Sequence, residues 1–153
     1  MFKKILIAVD EGESSERAVD LAVELATQSG GKLAVVHVLR PAPVYATGLE
    51  FATPMECMGD DCEDLFRAIR LRIPIPLLAD EFIYQGEAAE EILRAARSWG
   101  ADVIVCGTQG RRGLSHLVLG STAESLVRRA HCPVLVAKAE RKTAGVHEPV
   151  KCN

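Results

Sequence analysis

One stretch in the last third of this chain constrains the possible fold more than any other part of the sequence. Gly107 and Gly110 are followed, after nine residues, by Gly120 and Ser121, and then by a helical segment and an apolar strand. Glycines let a backbone approach a ligand closely and adopt positive φ angles. A helix that begins at Ser121 or Thr122 directs free N–H groups and the positive end of its dipole outward. This arrangement is typical of a site that binds phosphate.

The position of the glycines along the chain supports the same interpretation. They follow residues 101–106, which have the composition of a buried strand. Open α/β sheets bind their ligands at the carboxyl ends of such strands. We expect the backbone at the first two glycines to contact a ribose and a phosphate. The helix start, at Gly120, Ser121 and Thr122, would hold the remaining phosphates.

Hydrophobic periodicity predicts strands alternating with helices over most of the chain. Continuous apolar runs indicate parallel strands covered on both faces, and apolar residues at helical spacing before a glycine indicate helices. This succession favours a single doubly wound α/β domain over residues 1–138, followed by a polar, disordered tail at 139–153. The predicted strands are residues 5–9, 33–39, 101–106 and 133–138, and the predicted helices are residues 13–28, 87–99 and 122–130.

The interval between residues 40 and 84 is less regular. It begins with prolines and glycines that predict a long loop, and residues 60–72 then show helical spacing. The third strand lies either at residues 75–78 or at residues 82–84. We favour a strand that ends near Tyr84, because Gly86 then supplies the turn into the next helix.

Composition excludes several classes of protein. With 153 residues, of which 48% are hydrophobic, the chain can bury the core of one compact domain. A formal net charge of −3 provides no general basic surface for nucleic acid. No apolar run approaches the roughly 20 residues that span a bilayer, and the N-terminus lacks the pattern of a signal peptide. We therefore expect a cytoplasmic protein without membrane or nucleic-acid partners.

The cysteines predict neither a disulfide framework nor a metal site. Their number is odd and their spacing irregular, which favours separate thiols in an intracellular chain. Cys57 and Cys62 have no second pair that would complete a zinc site, and Cys106 falls within an apolar strand. The five cysteines are Cys57, Cys62, Cys106, Cys132 and Cys152.

Asp10 closes the first predicted strand and is the candidate acidic ligand. Its carboxylate suits hydrogen bonds from ribose hydroxyls or the adenine end of a nucleotide, or from a water on a phosphate-bound metal. A structural alternative exists, because Asp10 and Glu13 have the spacing of a helix capping box. Ser121 and Glu124 have the same spacing. A cap does not require three glycines at the observed spacing, so nucleotide binding is favoured.

The glycine spacing resembles the ATP-binding signature of the universal stress protein family. Other parts of the chain are similar to family landmarks in the same order, and the resemblance covers most of residues 3–138, although it is weaker between about 40 and 84. These landmarks are residues 4–10, Ser15 with Ala18, Gly86, residues 101–105 and residues 131–136.

The resemblance implies an adenine-nucleotide hydrolase-like fold, a five-stranded parallel sheet in the order 3-2-1-4-5. In that order the loops after Asp10 and Cys106 open into one crevice. The resemblance also implies that the ligand is ATP, with ADP or AMP as alternatives and Mg²⁺ as the accompanying ion, and that the backbone near Val38 meets the adenine. Family members usually have Gly-Ser after the aspartate, whereas this chain has Glu11 and Gly12.

Three functions remain open at this level. The first is an ATP-binding regulatory protein of the stress response, a homodimer formed through the edge strand Pro133 to Lys138. The second is a nucleotide-independent interaction module of the same fold, and the third is a slow ATP hydrolase. The intact glycine set favours the first over the second. Against the third, Ser121 follows Gly120 where a P-loop would have lysine, so we expect no efficient catalysis.

Overall fold

The computed structural model of the protein describes residues 1–39, 59–108 and 119–138. Gly110, most of the predicted loop after residue 40 and the tail 139–153 lie outside the described residues. Within the described residues, no helix is both long enough and apolar enough to cross a membrane.

The described residues form five strands and four helices in alternation. The strands pair in parallel in the order β3-β2-β1-β4-β5, which confirms the predicted doubly wound α/β fold. The elements are β1 Lys4–Val9, α1 Glu13–Ser29, β2 Lys32–Leu39, α2 Gly59–Arg70, β3 Leu78–Gln85, α3 Ala88–Trp99, β4 Val103–Gly107, α4 Ser121–Arg129 and β5 Val134–Ala137.

The central strand β1 shows why the apolar runs are continuous. Ile5 and Ile7 belong to a buried cluster with α1 and α2, whereas Leu6 and Ala8 belong to a second cluster with α3 and α4. Successive side chains of a strand point to opposite faces of the sheet. Because helices cover both faces, the buried positions of β1 on either face are apolar.

Most element boundaries agree with prediction to within two residues. Gly30 and Gly100 end α1 and α3 in the left-handed conformation, with φ of 61° and 73°, as the glycine stop signals predict. The third strand is longer than either predicted alternative and includes the favoured one. Glu87, predicted to begin α3, instead caps it.

Candidate functional site

The carboxyl ends of β1 and β4 are adjacent in the sheet, and this is where the order of strands reverses. Thr108, directly after β4, connects the elements around this crevice. Its N–H donates to Ala137 O of β5 at 2.9 Å, and its carbonyl accepts from Gly120 N at 2.8 Å. A single hydrogen bond therefore links Gly120, at the beginning of α4, to Thr108, directly after β4.

The N-terminus of α4 has the features of an anion site. Gly120 is its N-cap, with φ −61° and ψ 150°, and no side chain among the described residues caps it. Ser121 is the first helical residue, so the alternative role predicted for it, as a capping residue, is wrong. The N–H groups of the first turn, which includes Thr122, have no acceptor within the helix. They can donate to a bound phosphate.

Asp10 is held by the turn that leads into α1. Its Oδ1 accepts from Gly12 N at 2.8 Å and from Ser15 Oγ at 2.6 Å, while its own N–H donates to Ser15 Oγ at 2.8 Å. The N-cap of α1 is Gly12, without a side-chain cap. The capping box predicted as an alternative for Asp10 and Glu13 is therefore absent, because the carboxylate bonds to the turn before the helix and to Ser15.

The helices that begin at the crevice differ from α3 in their N-cap residues. The Glu87 side chain caps α3 by accepting from Glu90 N at 2.8 Å. Both helices that begin at the crevice, α1 and α4, have a glycine N-cap and lack a side-chain cap among the described residues. A glycine N-cap leaves the first-turn N–H groups available to an external acceptor.

Charge distinguishes the two glycine-capped helices. The first turn of α1 contains Glu13 and Glu16, close in sequence to Asp10, whereas the first turn of α4 contains only Glu124. Glu124 pairs with Arg128 at 3.0 Å, and Glu16 pairs with Arg72 at 2.5 Å. Asp10 and Glu13 still add negative charge at the start of α1, so an anion is favoured at α4, and a ligand hydroxyl is the better match at α1.

Gly107, the last residue of β4, has a packing role that the sequence does not reveal. A Cβ atom at this position would lie 2.3 Å from Ser14 Oγ and 2.8 Å from Ser14 Cβ. The first turn of α1 therefore packs directly on the backbone of β4. Glycine is required here for contact between helix and strand, whatever ligand binds above it.

Comparison with known proteins identifies the family. The model of the universal stress protein family matches residues 1–138. The chain belongs to the universal stress protein family. It is 36% identical to the "Universal stress protein in QAH/OAS sulfhydrylase 3'region" of Thermus aquaticus, over 90% of this chain and 100% of that one.

Solved structures of the family share the fold. One is a universal stress protein in complex with cAMP, with a TM-score of 0.69 and 21% identity over 91% of this chain and 99% of that one. Another is the universal stress protein from Archaeoglobus fulgidus in complex with dAMP, with a TM-score of 0.65 and 21% identity over 89% of this chain and 98% of that one. Both of these proteins are described with an adenine nucleotide.

Cys106 in this universal stress protein is unsuited to nucleophilic chemistry. Burial, with a smaller contribution from the negative charge of Asp10, raises the pKa of its thiol to about 11. Thiolates are the reactive form of cysteine, so this thiol is inert at neutral pH. Among the described residues, Cys62, Cys106 and Cys132 form no disulfide. No group of three or more potential metal ligands occurs among the described residues.

Val38, predicted to meet adenine, lies at the edge of the crevice. The last register pair of β1 and β2 joins Val9 to His37, so Val38 extends one residue beyond β1. Its side chain packs on the α3 side beside Tyr84. His37 is buried on the other side with Nδ1 2.9 Å from Val9 O, so it is a packed residue.

A small cleft opens between α1 and α2 beside Asp10. Its volume of about 80 Å³ is well below the roughly 300 Å³ of small ligand pockets, so it cannot enclose a nucleotide by itself. The described residues therefore bring contact groups together around an open crevice. Of the predicted site residues, Asp10, Gly107, Gly120, Ser121 and Thr122 lie around it, Val38 lies at its border, and Gly110 is outside the described residues.

Proposed function

We propose that this universal stress protein binds an adenine nucleotide, ATP in its working form, and acts as a regulatory homodimer in the cytoplasm without efficient catalysis. The start of α4 carries the proposal. Its glycine N-cap has no side-chain cap among the described residues and is hydrogen-bonded to the end of β4. The adenine nucleotides named for two solved relatives support the same ligand class.

The charge pattern suggests how the nucleotide lies. Its phosphates would approach the N–H groups of Ser121 and Thr122, where the helix dipole favours negative charge. Its ribose would face Asp10, whose carboxylate accepts hydroxyl hydrogens. The adenine would then reach the backbone at Val38. This orientation keeps the phosphates away from Glu13 and Glu16 at the start of α1.

Mg²⁺ fits the proposed site as a companion of the triphosphate. Mg²⁺ in nucleotide sites usually keeps several waters and is held by phosphates with one or two carboxylates. Because Asp10 faces the ribose in this orientation, the ion would be held by the phosphates and its waters, and a metal-bound water at Asp10 is the alternative role of that carboxylate. The ion would neutralise charge on the phosphates and so strengthen binding of ATP relative to the metal-free nucleotide.

Replacing Gly120 with aspartate should separate nucleotide binding from stability. Aspartate is a preferred N-cap residue in the extended conformation that Gly120 already has, so stability should rise by a few tenths of a kcal/mol. The added carboxylate would occupy the first-turn N–H groups and repel phosphate. We expect the affinity for ATP, measured by calorimetric titration, to fall at least about tenfold.

Two controls make this test specific. Gly120→Asn caps the helix without adding charge and should weaken ATP binding less than Gly120→Asp does. Adenosine lacks phosphates, so its affinity should be the same for the wild-type protein and Gly120→Asp. Unchanged affinity of Gly120→Asp for ATP would place the phosphates elsewhere. A wild-type protein that binds no adenine nucleotide would favour the nucleotide-independent interaction module.

Nucleotide turnover should be negligible beside that of true ATPases. Phosphoryl transfer depends on cations placed around the developing charge. The first turn of α4 offers N–H groups and the hydroxyls of Ser121 and Thr122 but no lysine or arginine. The arginines of α4 lie in its last turn and pair with Glu124 and Glu90. Phosphate release from ATP and Mg²⁺ should therefore stay far below about 10 per second, a typical enzyme rate. Turnover near that rate, lost in Gly120→Asp, would instead support an ATP hydrolase.

A further inference from the structure

The two oxygens of the Asp10 carboxylate have different surroundings. Oδ1 accepts two hydrogen bonds, from Gly12 N and from Ser15 Oγ. Among the described residues no hydrogen bond involves Oδ2. The carboxylate is thus attached to the protein through one oxygen and presents the other for an external donor.

Ser15 is the side chain that holds Asp10 in this orientation. Its hydroxyl donates to Oδ1 at 2.6 Å and accepts from the Asp10 N–H at 2.8 Å. The backbone of Ser15 is also bound, because its N–H donates to Gly12 O at 2.9 Å. Ser15 is only 5% exposed, so water competes little for these bonds. The hydroxyl therefore limits rotation of the carboxylate.

We propose that Ser15 is a positioning residue that directs Asp10 Oδ2 toward the ribose hydroxyls and so sets the preference for nucleotides that carry them. The inference rests on the proposed nucleotide site and adds a residue that determines its specificity. Without the Ser15 hydroxyl, Oδ1 retains only the Gly12 N–H as a donor. The carboxylate then rotates more freely, and its hydrogen bond to a ribose hydroxyl weakens.

The test compares ATP with its 2′,3′-dideoxy analogue, which lacks both ribose hydroxyls. In calorimetric titrations the wild-type protein should prefer ATP. Ser15→Ala should reduce the affinity for ATP by about three- to tenfold, the usual value of one hydrogen bond, and leave the affinity for the analogue nearly unchanged. A purely structural role of Ser15 would lower both affinities together.

The same helix supplies a matched control. Ser29 also lies on α1 and is 6% exposed, and its Oγ has no hydrogen-bond partner among the described residues. Ser29→Ala makes the same chemical change without removing a hydrogen bond. Both affinities and their ratio should match those of the wild-type protein.

A double-mutant cycle tests whether Ser15 acts through Asp10. In an Asp10→Ala background the preference for ATP over the analogue should already be lost, and adding Ser15→Ala should change neither affinity. A Ser15 effect that persists without Asp10, or a Ser15→Ala protein with the wild-type preference, would overturn the positioning role while leaving the nucleotide site intact. Failure of the wild-type protein to bind ATP would overturn the proposed function and this inference with it.

Discussion

Replacing Gly107 with valine should lower the free energy of unfolding by about 3 kcal/mol, the upper part of the range for overpacking a core. Any Cβ at this position lies 2.3 Å from Ser14 Oγ, 2.8 Å from Ser14 Cβ and 3.0 Å from the Ser14 carbonyl carbon. Neither a backbone carbon nor a Cβ atom can move aside as the end of a long side chain does. The start of α1 must therefore shift away from β4.

Urea denaturation of the wild-type protein and of Gly107→Val measures this change, because the midpoint of unfolding falls with stability. A cycle of Gly107→Ala with Ser14→Gly locates its cause. Ser14→Gly removes the two side-chain atoms nearest the added Cβ, so the double mutant should be more stable than the sum of the single changes predicts. If Gly107→Val kept full stability and lost only nucleotide binding, ligand approach would be the reason for the glycine.

Local sequence patterns predict the position of Gly107 in the fold but not its packing contact. The position of Gly107 after an apolar run correctly predicts that it lies at the carboxyl end of a strand, β4. Its contact with Ser14 is invisible in the sequence, because these residues are 93 positions apart and meet only when α1 packs across β4. The interpretation of Gly107 as a residue that admits a ligand is therefore incomplete without the packing contact.

The hydrogen-bond partners of Asp10 also cannot be predicted from spacing, although they are close in sequence. The spacing to Glu13 matches a capping box, and local rules favour that cap. In the structure Ser15 competes for the carboxylate, and the helix begins after Gly12. Spacing alone does not decide between two nearby donors, since the outcome depends on side-chain rotamers and on the exact helix start. The sequence pattern therefore does not reveal that the Ser15 hydroxyl donates to the Asp10 carboxylate.

The strands differ in how well the sequence predicts them. The inner strands β1 and β4 are covered on both faces and appear as continuous apolar runs. The strand β3 lies at an edge of the sheet, and the charged residues Asp80 and Glu81 interrupt its apolar pattern. The sequence therefore does not fix where this strand begins. The order of the strands followed from the family resemblance, because periodicity does not specify which strands are neighbours.

The strand β5 forms the other edge of the sheet and is the candidate dimer interface. Val134 and Val136 pack on the buried cluster of α3 and α4, so a charge at either would also disturb the core. Leu135 points away from that cluster and is 40% exposed. An exposed apolar residue on an edge strand invites pairing with a second copy across a two-fold axis.

Replacing Leu135 with lysine should weaken the proposed homodimer at least about 100-fold, because a two-fold axis brings the two added charges together and like charges at an interface cost several kcal/mol. Sedimentation velocity at a fixed protein concentration should show a shift from dimer to monomer. Ile83→Lys is the matched control, since Ile83 is 47% exposed on the opposite edge strand β3. That variant should remain dimeric. If Ile83→Lys dissociates instead, the interface lies on β3. If both Leu135→Lys and Ile83→Lys remain dimeric, the interface lies outside both edge strands.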